Sequence, residues 1–557
     1  MRSFKFVTAF VSLIAIASVA NAEHHSKEKV KAPKLVVAIA VDQFSSDLFA
    51  EYRSTFTGGL KRLSDGAVFP AGYQSHAATE TCPGHSTIMT GAHPGRAGII
   101  ANNWIDLGID REDKTVYCAE DERVEGTSFG DITKATQATY VPSAWHLLVP
   151  TLGERLKKNS PKSRNVAVSG KDRAGLMMGG NTVDAIYWFS GDKFVTAAGK
   201  DTLPSITALN AKLTPTVNQA RAPFAVPEHC KARMAKIEHG EGKSVGEYTF
   251  ARPQGAGRIF RLSPDHDTAI VSAAKAVAGE LKLGQGQATD VLSLGLSATD
   301  YVGHAFGTAG VEMCIQMAEL DRNLGEFFEF LDDRNIDYVA MLTADHGGLD
   351  LPERAALQAM PDAERLDFKL SAKVIGEAVK QELGLETDKP LLYADSPFGD
   401  YYISRDLDAE TSEKVKQAAM AAISGHSQVE AVLDGKEIAK LPMPSGSPEE
   451  WSLADRVRAS FHPDRSGDFI VLLKKGITPI PSTARGYVAT HGSPWDYDRR
   501  VPILFWRAGM TGFEQPLSVK TVDIAPTLGS LIGVDMSDDD IDGRCLDLDA
   551  GPGSTCN

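Results

Sequence analysis

The sequence predicts an α/β protein, a sandwich built on a mostly parallel central sheet with helices on both faces. Three observations predict it. Short, continuously apolar runs rich in branched residues recur, as strands buried on both faces require. Stretches of helical period alternate with them, the pattern of a parallel sheet with crossover helices. Each run also finishes beside polar residues, at the strand ends where open α/β sheets place their ligands.

Taken in order, the chain of 557 residues is long enough for one large domain with insertions or for several smaller ones. It begins like a secretory leader. Arg2 and Lys5 precede an apolar stretch from Phe6 to Val19, and Ala20-Asn21-Ala22 is a small-residue cleavage pattern. Residues 1–22 therefore read as a signal peptide, ahead of a retained anchor helix, because the apolar run is short. The mature chain would start near Glu23, be exported to the periplasm or medium, and carry no membrane span.

After a charged linker, Leu35 to Val41 form the first strand and Asp42 follows it. The stretch from Ala78 to Thr87 opens a helix at Thr81, with Pro83 fitting the first turn. Free N–H groups at such an end attract anions, phosphate above all. Asn165 to Ser169 lead into Gly170-Lys171-Asp172-Arg173, Val291 to Gly295 lead to Asp300, and Tyr338 to Thr343 lead to Asp345-His346. Gly310 to Leu331 and Thr521 to Ile532 have helical spacing. Two segments, roughly 175–285 and 351–465, are richer in Pro, Gly and charge. They read as insertions in a single catalytic domain over 23–557, forming caps or rims around the site.

The formal net charge of -15 argues against nucleic-acid binding, which needs a basic surplus. It leaves room for a small phosphorylated substrate held by local cations. Six cysteines in an exported chain invite disulfides. Cys545 with Cys556 is the favoured pair and Cys118 with Cys230 a second, leaving Cys82 and Cys314 as buried free thiols.

Threonine is a poor nucleophile until a base or a metal removes its proton. The chain offers both ligand types. Asp300 and His304 stand four apart, on one helical turn. Asp345-His346 ends a strand, His491-Gly492 sits in a turn, and Asp42 ends another strand. Singly, each is an ordinary capping Asp or core His. Jointly, three Asp and three His make a metal centre, with zinc ahead of manganese or another divalent ion.

These residues also carry a resemblance. Thr81-Cys82-Pro83-Gly84-His85-Ser86, Gly98-Ile99-Ile100-Ala101-Asn102, Ser169 to Arg173, Asp300 to His304, Thr343 to Gly347 and Thr490-His491-Gly492 occur in one order. In them the chain resembles the alkaline phosphatase superfamily, in its threonine-nucleophile monoesterase branch (PafA/PhoK-type). The resemblance implies two Zn2+ ions. One would lie on Asp42, Asp345, His346 and Thr81, the other on Asp300, His304 and His491. It implies that Thr81 is the nucleophile, forming a phosphothreonine intermediate, and that Asn102, Lys171 and Arg173 bind the substrate phosphate. The Lys-x-Arg pair marks monoesterases, so small-molecule phosphate monoesters are the expected substrates. On a strand end with a period of two, both side chains would point into the site.

The related alternatives fit less well. Sulfatases of the superfamily carry Cys-x-Pro-x-Arg, and here Pro83 directly follows Cys82. A nucleotide pyrophosphatase/phosphodiesterase would share the metals and the threonine but not the Lys171/Arg173 pair. A non-catalytic metal- or phosphate-binding surface protein would be expected to have lost Thr81 or a ligand. Finally, Asp538-x-Asp540-x-Asp542-Gly543 with Asp549 has the ligand order of a calcium loop, but Cys545 and Pro552 suit an acidic surface loop better. Structural calcium in the acidic loops is a further expectation for an exported enzyme.

Overall fold

The computed structural model describes residues 31–127, 140–240 and 242–556. The expected leader at 1–22 lies outside them.

Ten strands make the main sheet among the described residues. They are β1 (Leu35–Val41), β2 (Ala67–Tyr73), β3 (Asn165–Ser169), β4 (Ala185–Ser190), β5 (Lys193–Val195), β6 (Asp290–Leu296), β7 (Tyr338–Thr343), β8 (Arg500–Arg507), β9 (Phe513–Glu514) and β10 (Val519–Lys520). Their spatial order is β9-β2-β8-β7-β1-β6-β3-β4-β5, with β10 also on β2. The block β7-β1-β6-β3-β4 is parallel throughout. Only β5 and β8 run against the rest, so the sheet is mixed but dominated by one direction.

β1 shows why such a run makes a central strand. All seven residues are buried, and alternate side chains enter different cores. Leu35, Val37, Ile39 and Val41 pack with Phe44, Leu292, Leu294 and Phe327. Val36, Ala38 and Ala40 face Met89, Val291, Met341 and Leu528. Each large aliphatic side chain so buried contributes about 1.5–3 kcal/mol, which is why a polar residue on either face would break the strand. Helices cover both faces, Asp265–Leu281 and Val311–Asp332 on the first and Thr81–Thr90 and Ile524–Ile532 on the second.

The two long segments are built differently. Segment 175–285 is partly core. It supplies β4 and β5, and Ala269, Ile270, Ala273 and Val277 of helix Asp265–Leu281 join the first core. Its averaged composition hides this, because its polar stretches lie between two apolar ends. Segment 351–465 builds a lobe on an apolar cluster of its own, with helices Ala372–Leu383 and Ala409–Ser424 around Leu370, Ile375, Val415 and Phe469. Its four-stranded sheet (Leu392–Tyr393, Gly399–Ile403, Val429–Asp434 and Phe469–Leu473) closes with a strand beyond residue 465.

All six cysteines are paired. Cys545–Cys556 is as expected, but the other bonds are Cys82–Cys118 and Cys230–Cys314. The expected Cys118–Cys230 pair and the free thiols at Cys82 and Cys314 are therefore corrected. The true partners are 36 and 84 residues apart, brought together by packing that no local pattern encodes. In the acidic tail, Asp542 accepts from the His93 N–H (2.8 Å) and pairs with Arg96, while Asp538 pairs with Arg155. Both carboxylates thus answer the chain's own donors, as a surface loop would.

Candidate active site

Four neighbouring parallel strands deliver the site at their carboxyl ends. β1 pairs with β7 and β6 in step, Ala40 lying beside Thr343 and Gly295. Asp42 directly follows β1 and Asp345 closely follows β7, so the register sets them side by side. The Gln43 N–H, in a left-handed turn (φ 65°), donates to Asp345 Oδ1 at 3.1 Å. β6 leads into helix Ala298–Phe306, which carries Asp300 and His304. β3 leads into Gly170 and helix Asp172–Gly179. Helix Thr81–Thr90 points its first turn at the same place. Its Gly84 permits this, because a Cβ there would collide with the Asp345 carbonyl.

Two groups of ligand atoms result. In one, atoms of Asp42, His85 and Asp345 lie within 4.8 Å of one another. His85 Nε2 is 3.2 Å from Asp42 Oδ1 and its Nδ1 is 3.3 Å from Asp345 Oδ2. Burial opposes a charge on this ring, but the Asp345 and Asp42 carboxylates outweigh it and push its pKa up to about 10. His85 was not foreseen as a site residue. The available signal was its place one helical turn after Thr81, on the same face. His346, expected with this group, has Nε2 3.2 Å from Asp345 Oδ2. Its ring stacks on that of His491, with centroids 3.5 Å apart.

In the other group, ligand atoms of Asp300, His304 and His491 also lie within 4.8 Å of one another. The Nε2 atoms of His304 and His491 are 3.2 and 3.4 Å from Asp300 Oδ1. Their Nδ1 atoms meet the Ala489 and Thr79 carbonyls at 2.9 and 2.8 Å, and His346 Nδ1 meets the Gly347 carbonyl at 2.9 Å. All three rings thus place Nδ1–H on a backbone carbonyl and turn a bare Nε2 inward, the orientation of metal-ligating histidines. Burial, with His346 adding to it, holds the His491 pKa down at about 4, so this ring is neutral.

The donor set fits divalent metal. Asp42 Oδ1, Asp300 Oδ1, Asp345 Oδ2 and the Nε2 atoms of His85 and His346 are buried, make no well-aligned hydrogen bond, and meet only one another or a neighbouring ligand at 3.2–3.4 Å. Each such atom costs about 1–3 kcal/mol if left unsatisfied, and an ion offers one partner to several at once.

The remaining expected residues surround this space. Thr81 opens its helix and is 1% exposed. Arg173 Nη2 donates to Thr81 Oγ1 at 3.4 Å. Lys171 Nζ lies 2.8 Å from Asp42 Oδ2 and 2.6 Å from Asp300 Oδ2, linking the two carboxylate groups. Despite burial, His304 and Lys171 hold the Asp300 carboxyl well below the usual range. The expected strand alternation is not what aims the pair. β3 ends at Ser169, Lys171 is the extended residue before the helix, and Arg173 lies in its first turn. Next to Arg173, Asp172 accepts hydrogen bonds from the hydroxyls of Tyr117 (2.9 Å) and Tyr140. Asn102 Oδ1 accepts from the Cys82 N–H at 2.8 Å, which leaves Nδ2 as the donor the amide can present.

The family model for type I phosphodiesterase / nucleotide pyrophosphatase matches residues 36–494. The alkaline phosphatase PhoK of a Sphingomonas species is 51% identical over 94% of this chain and 92% of its own length. The alkaline phosphatase PhoD of Zymomonas mobilis is 45% identical over 99% of this chain and 96% of its own. The crystal structure of wild-type alkaline phosphatase PafA superposes with a TM-score of 0.79 at 26% identity, covering 93% of this chain and 99% of that one. The chain therefore belongs to the type I phosphodiesterase / nucleotide pyrophosphatase family and, within the alkaline phosphatase superfamily, to the PafA/PhoK type.

Proposed function

We propose that this chain is an exported, zinc-dependent alkaline phosphatase that hydrolyses phosphate monoesters through a phosphothreonine intermediate on Thr81. The observation that carries this reading is the placing of two cations in the site, one on the nucleophile and one on the ligand carboxylates. Arg173 reaches the Thr81 hydroxyl and Lys171 spans Asp42 and Asp300. A monoester dianion has one more nonbridging charge than a diester, and a second cation rewards that charge. This favours monoesters although the family model takes its name from diesterases.

In this reading Thr81 Oγ1 attacks phosphorus from the first turn of its helix. The Arg173 guanidinium and Asn102 Nδ2 orient the phosphoryl oxygens, and the Lys171 ammonium meets their charge as it develops. Two zinc ions, one held by Asp42, Asp345, His346 and Thr81 and the other by Asp300, His304 and His491, would supply the Lewis acidity that lowers the threonine pKa and neutralises the leaving oxygen. His85, placed between Asp42 and Asp345, orients both carboxylates from the helix side. Export is supported by the leader and by pairing of all six cysteines, which suits an oxidising compartment. Among the described residues, no helix is long and apolar enough to cross a membrane.

Steady-state rates on matched mono- and diesters test the reading, and faster diester turnover would overturn it. Thr81→Ala should lower monoester kcat/KM on the order of 10⁴-fold or more and abolish acid-stable labelling of the protein by labelled substrate.

A further inference from the structure

We propose that Glu80 and the Cys82–Cys118 disulfide form a clamp that fixes Asn102 for phosphoryl binding. This rests on the reading of Asn102 as a phosphoryl donor. Three hydrogen bonds hold that residue. The Cys82 N–H donates to Asn102 Oδ1 at 2.8 Å, and the Cys118 N–H donates to the Asn102 carbonyl at 2.9 Å. The Asn102 N–H donates to Glu80 Oε2 at 2.6 Å. Two of these partners are the residues immediately before and after Thr81. The two donors among them, Cys82 and Cys118, are joined covalently, with Cα atoms 6.5 Å apart.

Each contact has a definite consequence. A primary amide can turn over, exchanging its oxygen and nitrogen. Here a backbone N–H faces the amide, so only the oxygen can satisfy it, and the turned form would set two donors against each other. Nδ2 is thereby kept for the substrate. Asn102 also sits at the base of a two-stranded ribbon, Asn103–Ile105 paired with Thr115–Tyr117. Such a ribbon is marginal on its own. The Cys118 contact closes its base, and the disulfide ties that base to the helix that begins at Thr81, within the apolar cluster of Ile99, Ile100 and Trp104. The clamp thus sets the distance between donor and nucleophile, a quantity in which small errors cost rate.

The test is a set of double-mutant cycles on the metal-loaded, full-length enzyme with 4-nitrophenyl phosphate, recording metal content and thermal midpoint for each variant. Glu80→Ala, and Cys82→Ser with Cys118→Ser, should each lower kcat/KM ~10-fold or more while Asn102 is present. Once Asn102→Ala is installed, each should cost less than about two-fold. Glu80→Gln keeps an acceptor for the Asn102 N–H and should retain activity within about three-fold. The glutamate arm leaves the disulfide intact, so it reads out even if the serine variant folds poorly. Full cost in the Asn102→Ala background, or a Glu80→Gln loss as large as that of Glu80→Ala, overturns the clamp alone. Full activity of Asn102→Ala overturns both the clamp and the donor role beneath it.

Discussion

The two ligand groups are built differently. Asp42 and Asp345 hang on the ends of adjacent central strands, and with His85 and His346 they are 0% exposed. The register of β1 and β7 fixes their spacing, so this half of the site is as rigid as the sheet. Asp300 and His304 sit instead on a helix, and His491 on a turn from a distant part of the chain. The side chains of His304 and His491 keep 12% and 7% of their surface open. A nucleophile calls for the first kind of setting, and a leaving group that must depart calls for the second.

The largest expected effect breaks the rigid half. Asp42→Asn should lower kcat/KM by at least ~10²-fold more than His304→Ala does, because it removes a carboxylate that meets both His85 and Lys171. Equal losses, measured with saturating metal, would mean that burial does not distinguish the halves. Next come the cations between them. Lys171→Ala and Arg173→Ala should each lower monoester turnover ~10²-fold or more while barely moving residual diester turnover. Parallel losses on both substrates would make the pair structural. A smaller, kinetic effect concerns metal release. Dialysis against a chelator should empty the Asp300/His304/His491 group first, giving two phases of metal loss that a single-phase time course would contradict.

The smallest effect lies in the lobe. Burial pushes the Asp400 carboxyl up to about 6, although it accepts a hydrogen bond from the Gly467 N–H at 2.6 Å. Because the folded pKa is raised, the folded state disfavours the ionised form. That penalty is absent below the unfolded value of about 3.8, grows as pH rises, and is complete above about 6. Asp400→Asn should therefore stabilise the protein by up to about 3 kcal/mol at pH 8 and by nearly nothing below pH 4, read from denaturant midpoints.

Much of this site was legible in the sequence because its logic is local. An apolar run long enough to be buried on both faces must be a central strand, and a carboxylate just past its end must stand at the ligand-binding edge. Asp42 and Asp345 follow from that rule, and the helix start at Thr81 follows from Pro83 in the first turn. Ligand chemistry, read from residue type alone, required no fold.

What the tertiary structure decided were relations between segments far apart in the chain. His85 shows nothing unusual until helix Thr81–Thr90 lays it between two strand ends. Cys82 reads as a buried thiol until the ribbon brings Cys118 beside it, and the amide of Asn102 has no orientation until the Cys82 N–H gives it one. Lys171 and Arg173 reach the site through a helix start rather than a strand, because the chain turns at Gly170. Local pattern is written by each segment's own propensity and burial, so one sequence reveals it. Pairing, orientation and distance depend on which segments the packed sheet brings together, and only the folded chain holds that information.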